Sequence, residues 1–266
     1  MTEPDAIAVA RPASTVLIAR DGSSGVEFLL TQRNTRMRFM AGAFVFPGGA
    51  VSASDGSDEL ARHIASAPPS WPNMDDARIE RAHAMAAVRE TFEEVGVLIG
   101  APPLSIAQLE AMRARLMNGE DFGALLGLEK IALALDALLP LIRWITPRSE
   151  PIRFDTRFYV ARAPRDQEAR HDGTECIALT WRTASASIGD ADAGTILMSA
   201  PTRQTLQALQ GIESVDDLLE HARHSKAPTV EPIMKLIDGV RTVLYPGDPD
   251  HPVAGRALAG PTRLRL

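Results

Sequence analysis

The chain contains a single cysteine, Cys176, in 266 residues. It can form no internal disulfide, so a reducing compartment, the cytoplasm, is expected. Cys176 stands in an apolar run, Cys176-Ile177-Ala178-Leu179, where a thiol is more often packing than chemistry. Long apolar runs are also missing. The longest, Ile131 to Ile142, is broken by Asp136 and Pro140 and is too short to span a bilayer. Met1 to Pro12 has no charged-then-apolar leader pattern. There is no surplus of basic residues: 28 Lys and Arg against 34 Asp and Glu give a net charge of -6. Such a balance suits neither nucleic acid nor an anionic membrane, and a phosphate-handling site would need local cations or metal ions. No internal repeat is visible. A Walker loop, a dinucleotide glycine fingerprint, a His-Glu-x-x-His pair and a nucleophile elbow are all absent.

What is present describes an ordinary globular chain, 45% apolar and 23% charged. Its length suits one large domain, or one domain with substantial insertions. Residues 1–13 are Ala/Pro-rich and read as a flexible N-terminus. Strands are expected at Ser14 to Ala19 and Val26 to Arg33, joined by the Asp21 to Gly25 turn, and at Ala43 to Phe46, stopped by Pro47-Gly48-Gly49. Residues Ala50 to Asp76 are rich in Ser, Asp, Pro and Ala and read as an exposed inserted segment with one short helix near Asp58 to Ala65. Ala77 to Val95 reads as a strong helix ended by Gly96, and Ser105 to Asn118 as another with Ser105 as N-cap. Strands follow at Leu138 to Ile145, Arg153 to Ala161 and Ile177 to Trp181, then helices at Pro201 to Leu209 and Val215 to Ser225. The tail from Tyr245 reads as a loop. Strands and helices mix without regular alternation, so an α/β (α+β) domain with a mixed sheet between helices is expected over 14–245. An insertion is placed at about 56–80, with a tail over 246–266.

The stretch that carries chemistry is Arg89-Glu90-Thr91-Phe92-Glu93-Glu94-Val95-Gly96-Val97. On a helix Glu90 lies three and four residues before Glu93 and Glu94, so the three carboxylates share one face and repel. Arg89, four before Glu93, can neutralise only part of that charge. A divalent cation supplies the rest, and hard oxygen ligands select Mg2+ or Mn2+. A cluster of this kind, standing alone, is more often a solvated face. The Gly96 stop and Phe46-Pro47-Gly48-Gly49 upstream reverse those odds. His221 and His224, three apart on the last expected helix, read as a surface pair rather than a metal site.

In these residues the sequence resembles the Nudix hydrolases, whose box is a glycine, five residues, an acid, seven residues, then Arg-Glu-apolar-x-Glu-Glu-x-Gly-apolar. Arg89 to Val97 matches the second half, with Thr91 at an apolar position as the departure. Gly49 and Asp55 match the first half, with Asp where Glu is usual. The halves stand twenty-six residues too far apart, as in a box split by an insertion. Glu80 is a weaker candidate than Asp55 for the acid. Upstream, Leu29-Leu30-Thr31-Gln32-Arg33, Arg38, Gly42 and Phe46-Pro47-Gly48-Gly49 resemble the coenzyme A diphosphatases of the family, with Asn34 where a small residue is usual. The split box, the Trp144 to Pro147 turn and the Arg153 to Thr156 strand resemble the same acyl-CoA branch. Together the resemblances cover approximately residues 14–210.

The resemblance implies an α/β/α Nudix sandwich with inserted segments and a metal-dependent pyrophosphatase. The substrate implied is coenzyme A or acyl-CoA, cut to 3′,5′-ADP and (acyl-)4′-phosphopantetheine. Metal ligands would be Glu90, Glu93 and Glu94; the catalytic set Glu93, Glu94, Arg89 and Glu175; the substrate contacts Arg33, Arg38, Gly48 and Gly49. Glu175 enters because an acidic loop before a Trp strand often adds a ligand or base in the family, with Glu168 and Asp172 as competitors. A Nudix hydrolase of ADP-ribose, NADH or nucleotides and a non-catalytic nucleotide-sensing Nudix module are the alternatives. The second is opposed by so many retained, mutually repelling carboxylates. The expected partner is a small-molecule pyrophosphate, without nucleic acid or membrane, and a homodimer is allowed.

Overall fold

The computed structural model describes residues 7–37, 40–72 and 76–265. The chain opens with a hairpin, β1 (Arg11–Gly22) and β2 (Gly25–Arg33), then β3 (Phe44–Val45) and β4 (Gly48–Ala50). Next come α1 (Asp58–Ala61), β5 (Ile64–Ser66), α2 (Ala77–Val95), α3 (Ile106–Met117), α4 (Phe122–Leu128) and β6 (Leu133–Ala134). The sheet resumes with β7 (Leu139–Ile145), β8 (Phe154–Arg162) and β9 (Cys176–Thr183). Helices α5 (Ala184–Asp192), α6 (Ala200–Ala208) and α7 (Val215–His224) precede β10 (Thr229–Val230), β11 (Ile233–Ile237), β12 (Val240–Leu244) and β13 (Arg263–Arg265).

The main sheet is mixed, in the order β10-β7-β8-β1-β2-β3, with β4 on β1 and β9 on β2. Strand β1 is buried from Ala13 to Ala19 without the polar alternation of a one-sided strand, because both sheet faces are covered. Val16 and Ile18 pack with Val88, Phe92 and Val95 of α2 on one face. Leu17 and Ala19 pack with Leu206 of α6 and Leu218 of α7 on the other. This is the expected mixed sheet between helices. Strands β1 and β2 pair only near their shared turn, from Ala19↔Phe28 to Gly22↔Gly25. Beyond it they part. The start of β1 pairs with β4 and the end of β2 with β3, and the glycine turn enters the gap between them.

Several expectations are corrected. Strand β1 begins at Arg11, inside the segment expected to be flexible. The inserted segment is not an exposed excursion: Leu60 and Trp71 are buried in the α2-side core, and β5 pairs in parallel with β6. Its helix stops at Ala61 and a short strand follows. The tail is not simply a loop. Tyr245 packs edge-on against Trp144, and β13 pairs with β12. The buried Asp248 carboxylate, gripped by Arg263 at 2.7 and 2.8 Å and by Thr262 at 3.0 Å, fixes that return. Helices α4 and α5 and the β11–β12 hairpin were not expected at all. Among the described residues no helix is long and apolar enough to cross a membrane.

Candidate active site

Helix α2 begins where Asp76 accepts from the backbone N–H groups of Arg78 and Ile79, and it ends at Gly96, whose φ of 71° suits a residue without a Cβ. Its apolar side, Met85, Val88, Phe92 and Val95, is fixed on the sheet. Glu90 and Glu94, one turn apart, are thereby aimed at the β4 turn. Glu94 is buried, and one of its carboxylate oxygens accepts from the Gly48 N–H at 3.0 Å. A Cβ on Gly49 would lie 2.3 Å from Glu90 Oε2, so this backbone runs directly against the Glu90 carboxylate. Gly48 has φ 150°, and a Cβ there would lie 2.2 Å from the Ser14 carbonyl. Both glycines are needed for backbone to approach backbone on one side and carboxylate on the other.

Arg89 ties the two halves of the box together. Its Nε and Nη2 donate to the two Asp55 oxygens at 2.8 and 2.9 Å, and Nη2 also donates to the Ala50 carbonyl at 3.1 Å. Nη1 lies 2.9 Å from Glu90 and 3.2 Å from Glu93. Burial opposes the Arg89 charge, but the bonds to Asp55 and the fields of Glu90 and Glu93 outweigh it and hold the guanidinium above its ordinary pKa. Asp55 also accepts from the Ser52 N–H and hydroxyl. Asp55 is thus the acid that meets α2, although it is separated from it by the insertion. Glu80 is not: it accepts from the Trp71 N–H at 2.8 Å.

The carboxylates are short of positive charge. Burial raises Glu94 to a pKa of about 8, with Glu90 and Glu175 adding to the rise against Gly48 and Arg33. Burial likewise raises Glu90 to about 7, with Glu93 and Glu175 adding and Arg89 opposing. Glu175 is exposed, and its field reaches both. Arg33, at the end of β2, is close enough for its charge to favour ionised Glu94. Arg38 lies outside the described residues. Of the competitors for the Glu175 role, Glu168 is paired with Arg170 and Asp172 is used inside its own loop.

Two supporting residues escaped the sequence reading. Asn34, noted only as a departure, donates from its side-chain amide to the Thr174 carbonyl and from its backbone N–H to the Glu175 carbonyl, both at 2.8 Å. It therefore holds the Glu175 loop beside Arg33. Arg113 of α3 donates to the Glu93 and Glu94 carbonyls and to that of Arg170, capping the end of α2. Neither contact has a local signal, because each joins residues far apart in sequence. Cys176 is buried beneath the site, and burial, with Glu94 nearby, pushes its thiol up to about 12, which fits packing rather than nucleophilic chemistry.

Among the described residues no group of three or more His, Cys, Asp or Glu side chains is arranged, as the side chains stand, to hold a metal ion. Glu90 and Glu93 lean towards Arg89, and Glu94 towards Gly48. The donor chemistry nevertheless fits a hard divalent cation. The Glu90 and Glu94 carboxylates sit at one turn, Glu90 raising the pKa of Glu94 and Glu93 that of Glu90.

Carboxylates are thus gathered under a glycine turn, on a helix packed against a mixed sheet. Comparison with known proteins places the chain. A crystal structure of a Nudix hydrolase from Alicyclobacillus acidocaldarius is similar with a TM-score of 0.71 and 31% identity, covering 81% of this chain and 97% of that one. The acyl-coenzyme A diphosphatase NUDT19 of Gallus gallus is 28% identical over 308 residues, 91% of this chain and 81% of that protein. The human protein of the same name is 27% identical, over 85% and 72%. No family model matches the chain. The chain belongs to the Nudix hydrolase family, a family of enzymes. Nudix hydrolases generally use divalent metal ions.

Proposed function

We propose that the protein hydrolyses the pyrophosphate of coenzyme A or an acyl-CoA, releasing 3′,5′-ADP and 4′-phosphopantetheine or its acyl form. The observation that carries this reading is the pair Glu90 and Glu94 set against Gly48 and Gly49, with Arg33 alongside. The likeness to acyl-coenzyme A diphosphatases over most of the chain supports the choice of substrate.

Glu90, Glu93 and Glu94 would hold the divalent ion, Mg2+ or Mn2+. When bound, such an ion neutralises pyrophosphate charge and lowers the pKa of water. Arg89 keeps Glu93 in place and leaves Glu94 to the Gly48 N–H. A water oxygen forms the new bond to phosphorus, the bridging P–O bond breaks, and the second phosphate leaves with that electron pair. The water proton passes to a carboxylate. Glu93 and Glu175 are the better exposed of the set, so they can hand a proton on to solvent. Arg33 and Arg38 would grip substrate phosphates, a task for which a guanidinium fork is suited. The test is kcat/KM over coenzyme A, acyl-CoA, ADP-ribose and NADH, with and without EDTA. Preference for either of the last two by an order of magnitude overturns the substrate, and activity after thorough chelation overturns the metal.

A further inference from the structure

A cleft of about 660 Å3 lies away from the glutamates. It is formed by the turn after β7, the junction of β10 and β11, and the tail loop, and its walls include Pro147, Ile233, Met234 and Val253. Its charged members are already engaged. Glu231 pairs with Arg148 at 3.2 Å and with Arg153 at 2.9 Å. His251 accepts from the Val253 N–H and donates from Nε2 to the Glu231 carbonyl. Such a cleft is poorly suited to a phosphate and well suited to a neutral, apolar group. Its size falls within the roughly 300–1,000 Å3 usual for ligand pockets.

We infer that this cleft receives the acyl chain of a coenzyme A thioester while the pyrophosphate lies at the glutamates; the inference rests on the substrate reading above. The pantetheine arm has the reach to connect the two places. A single cross-strand row joins the two places: Gly49 is opposite Ser14, Ser14 opposite Arg157, Arg157 opposite Arg143, and Arg143 opposite Thr229, which lines the cleft. Four strand spacings of about 4.8 Å make roughly 19 Å. The pantetheine arm has about thirteen bonds from phosphorus to sulfur, or roughly 15 Å when extended. The thioester sulfur therefore stops just short of the cleft, and the acyl carbons enter it. The route need not cross the core. Ala50, Arg11 and Pro12 are exposed along this end of the sheet, and Asp155 and Thr146 are partly so.

The experiment is a chain-length series, with kcat/KM measured for coenzyme A and its butyryl, hexanoyl and octanoyl thioesters. Wild type is compared with Val253→Glu, at an exposed position that tolerates a polar side chain, and with Met234→Trp, which fills the cleft. Wild-type kcat/KM should climb by about two- to fourfold per methylene, the effect of burying one CH2. Both variants should flatten that climb and lower the octanoyl value by at least about tenfold, with free coenzyme A changed by less than about twofold, because it places nothing in the cleft. No chain-length dependence in wild type, an intact climb in both variants, or equal losses on free and acylated coenzyme A would overturn the inference. Wild type that cleaves ADP-ribose or NADH but no coenzyme A species would overturn the substrate reading beneath it.

Discussion

Gly49→Ala separates the chemistry of this site from its stability. The added Cβ would lie 2.3 Å from Glu90 Oε2 and 2.4 Å from its carboxyl carbon, where ordinary contact begins at 3.4 Å. The carboxylate must therefore retreat by about 1 Å, the difference between 3.4 and 2.3. The obstructing atoms belong to the end of a flexible side chain, so the backbone need not move. A displacement of this size at a reacting centre costs on the order of a hundredfold in rate, or about 2.7 kcal/mol of barrier. Gly48→Ala is the contrasting case. Its Cβ would meet the Ser14 carbonyl at 2.2 Å and Thr15 Cα at 2.6 Å, and φ at +150° already excludes most side chains. That variant should lose the β1–β4 pairing and melt early. The assay pairs kcat on coenzyme A at saturating Mg2+ with thermal denaturation followed by circular dichroism. For Gly49→Ala turnover should fall about a hundredfold with a melting temperature close to wild type. Near-normal turnover in a folded Gly49→Ala protein would refute the placement of Glu90 in the reaction.

Glu94→Gln keeps an oxygen to accept from Gly48 and removes a charge that burial disfavours, so turnover should fall at least about a hundredfold with the melting point unchanged or raised; Glu93→Gln should lose turnover similarly, and two near-normal variants would remove the site. Thr91 is fully buried and its hydroxyl has no hydrogen-bond partner, so Thr91→Val should stabilise by about 1–2 kcal/mol, a gain of several degrees that a melting curve showing destabilisation would contradict. His83 is held at a pKa of about 4, first by burial and then by Arg157, against an ordinary 6.5. Below pH 6.5 the unfolded chain takes up a proton that the folded chain refuses, so stability falls from 6.5 to about 4 by up to about 3 kcal/mol and is then level. Denaturant midpoints across that window should flatten in His83→Gln; the same slope in the variant would reject His83 as its source.

Helix α2 was legible because its signals are local: Ala-rich composition, acidic spacing of three and four, and a terminal Gly96. The main sheet was legible for a related reason, since runs such as Val16 to Ala19 and Leu138 to Ile142 carry apolar continuity in one short window. What escaped depends on contacts between distant residues. The segment from 56 to 76 has the composition of a loop, yet Trp71 reaches Tyr159 at a ring separation of 5.3 Å and anchors it. The tail reads as Pro/Gly loop, yet contacts such as Asp248 with Arg263 and Thr262 turn it back into a strand. Within the site, Asp55, Arg89, Glu90 and the two glycines were nameable from the broken motif. Asn34 and Arg113 were not, because their partners lie 140 and 20 residues away.

The central claim is that the carboxylates beneath Gly48 and Gly49 direct metal-dependent attack of water on a coenzyme A pyrophosphate. Its most direct test is mass-spectrometric product analysis of coenzyme A hydrolysis in 18O-labelled water by chelated enzyme, the same enzyme with Mg2+ restored, and Glu94→Gln. 3′,5′-ADP and 4′-phosphopantetheine, one of them carrying a single solvent oxygen on phosphorus, should accumulate in the Mg2+-restored wild-type sample, with at most about a hundredth as much in Glu94→Gln and none in the chelated enzyme. Equal product in the chelated sample or in Glu94→Gln, or cleavage at another bond, would contradict it.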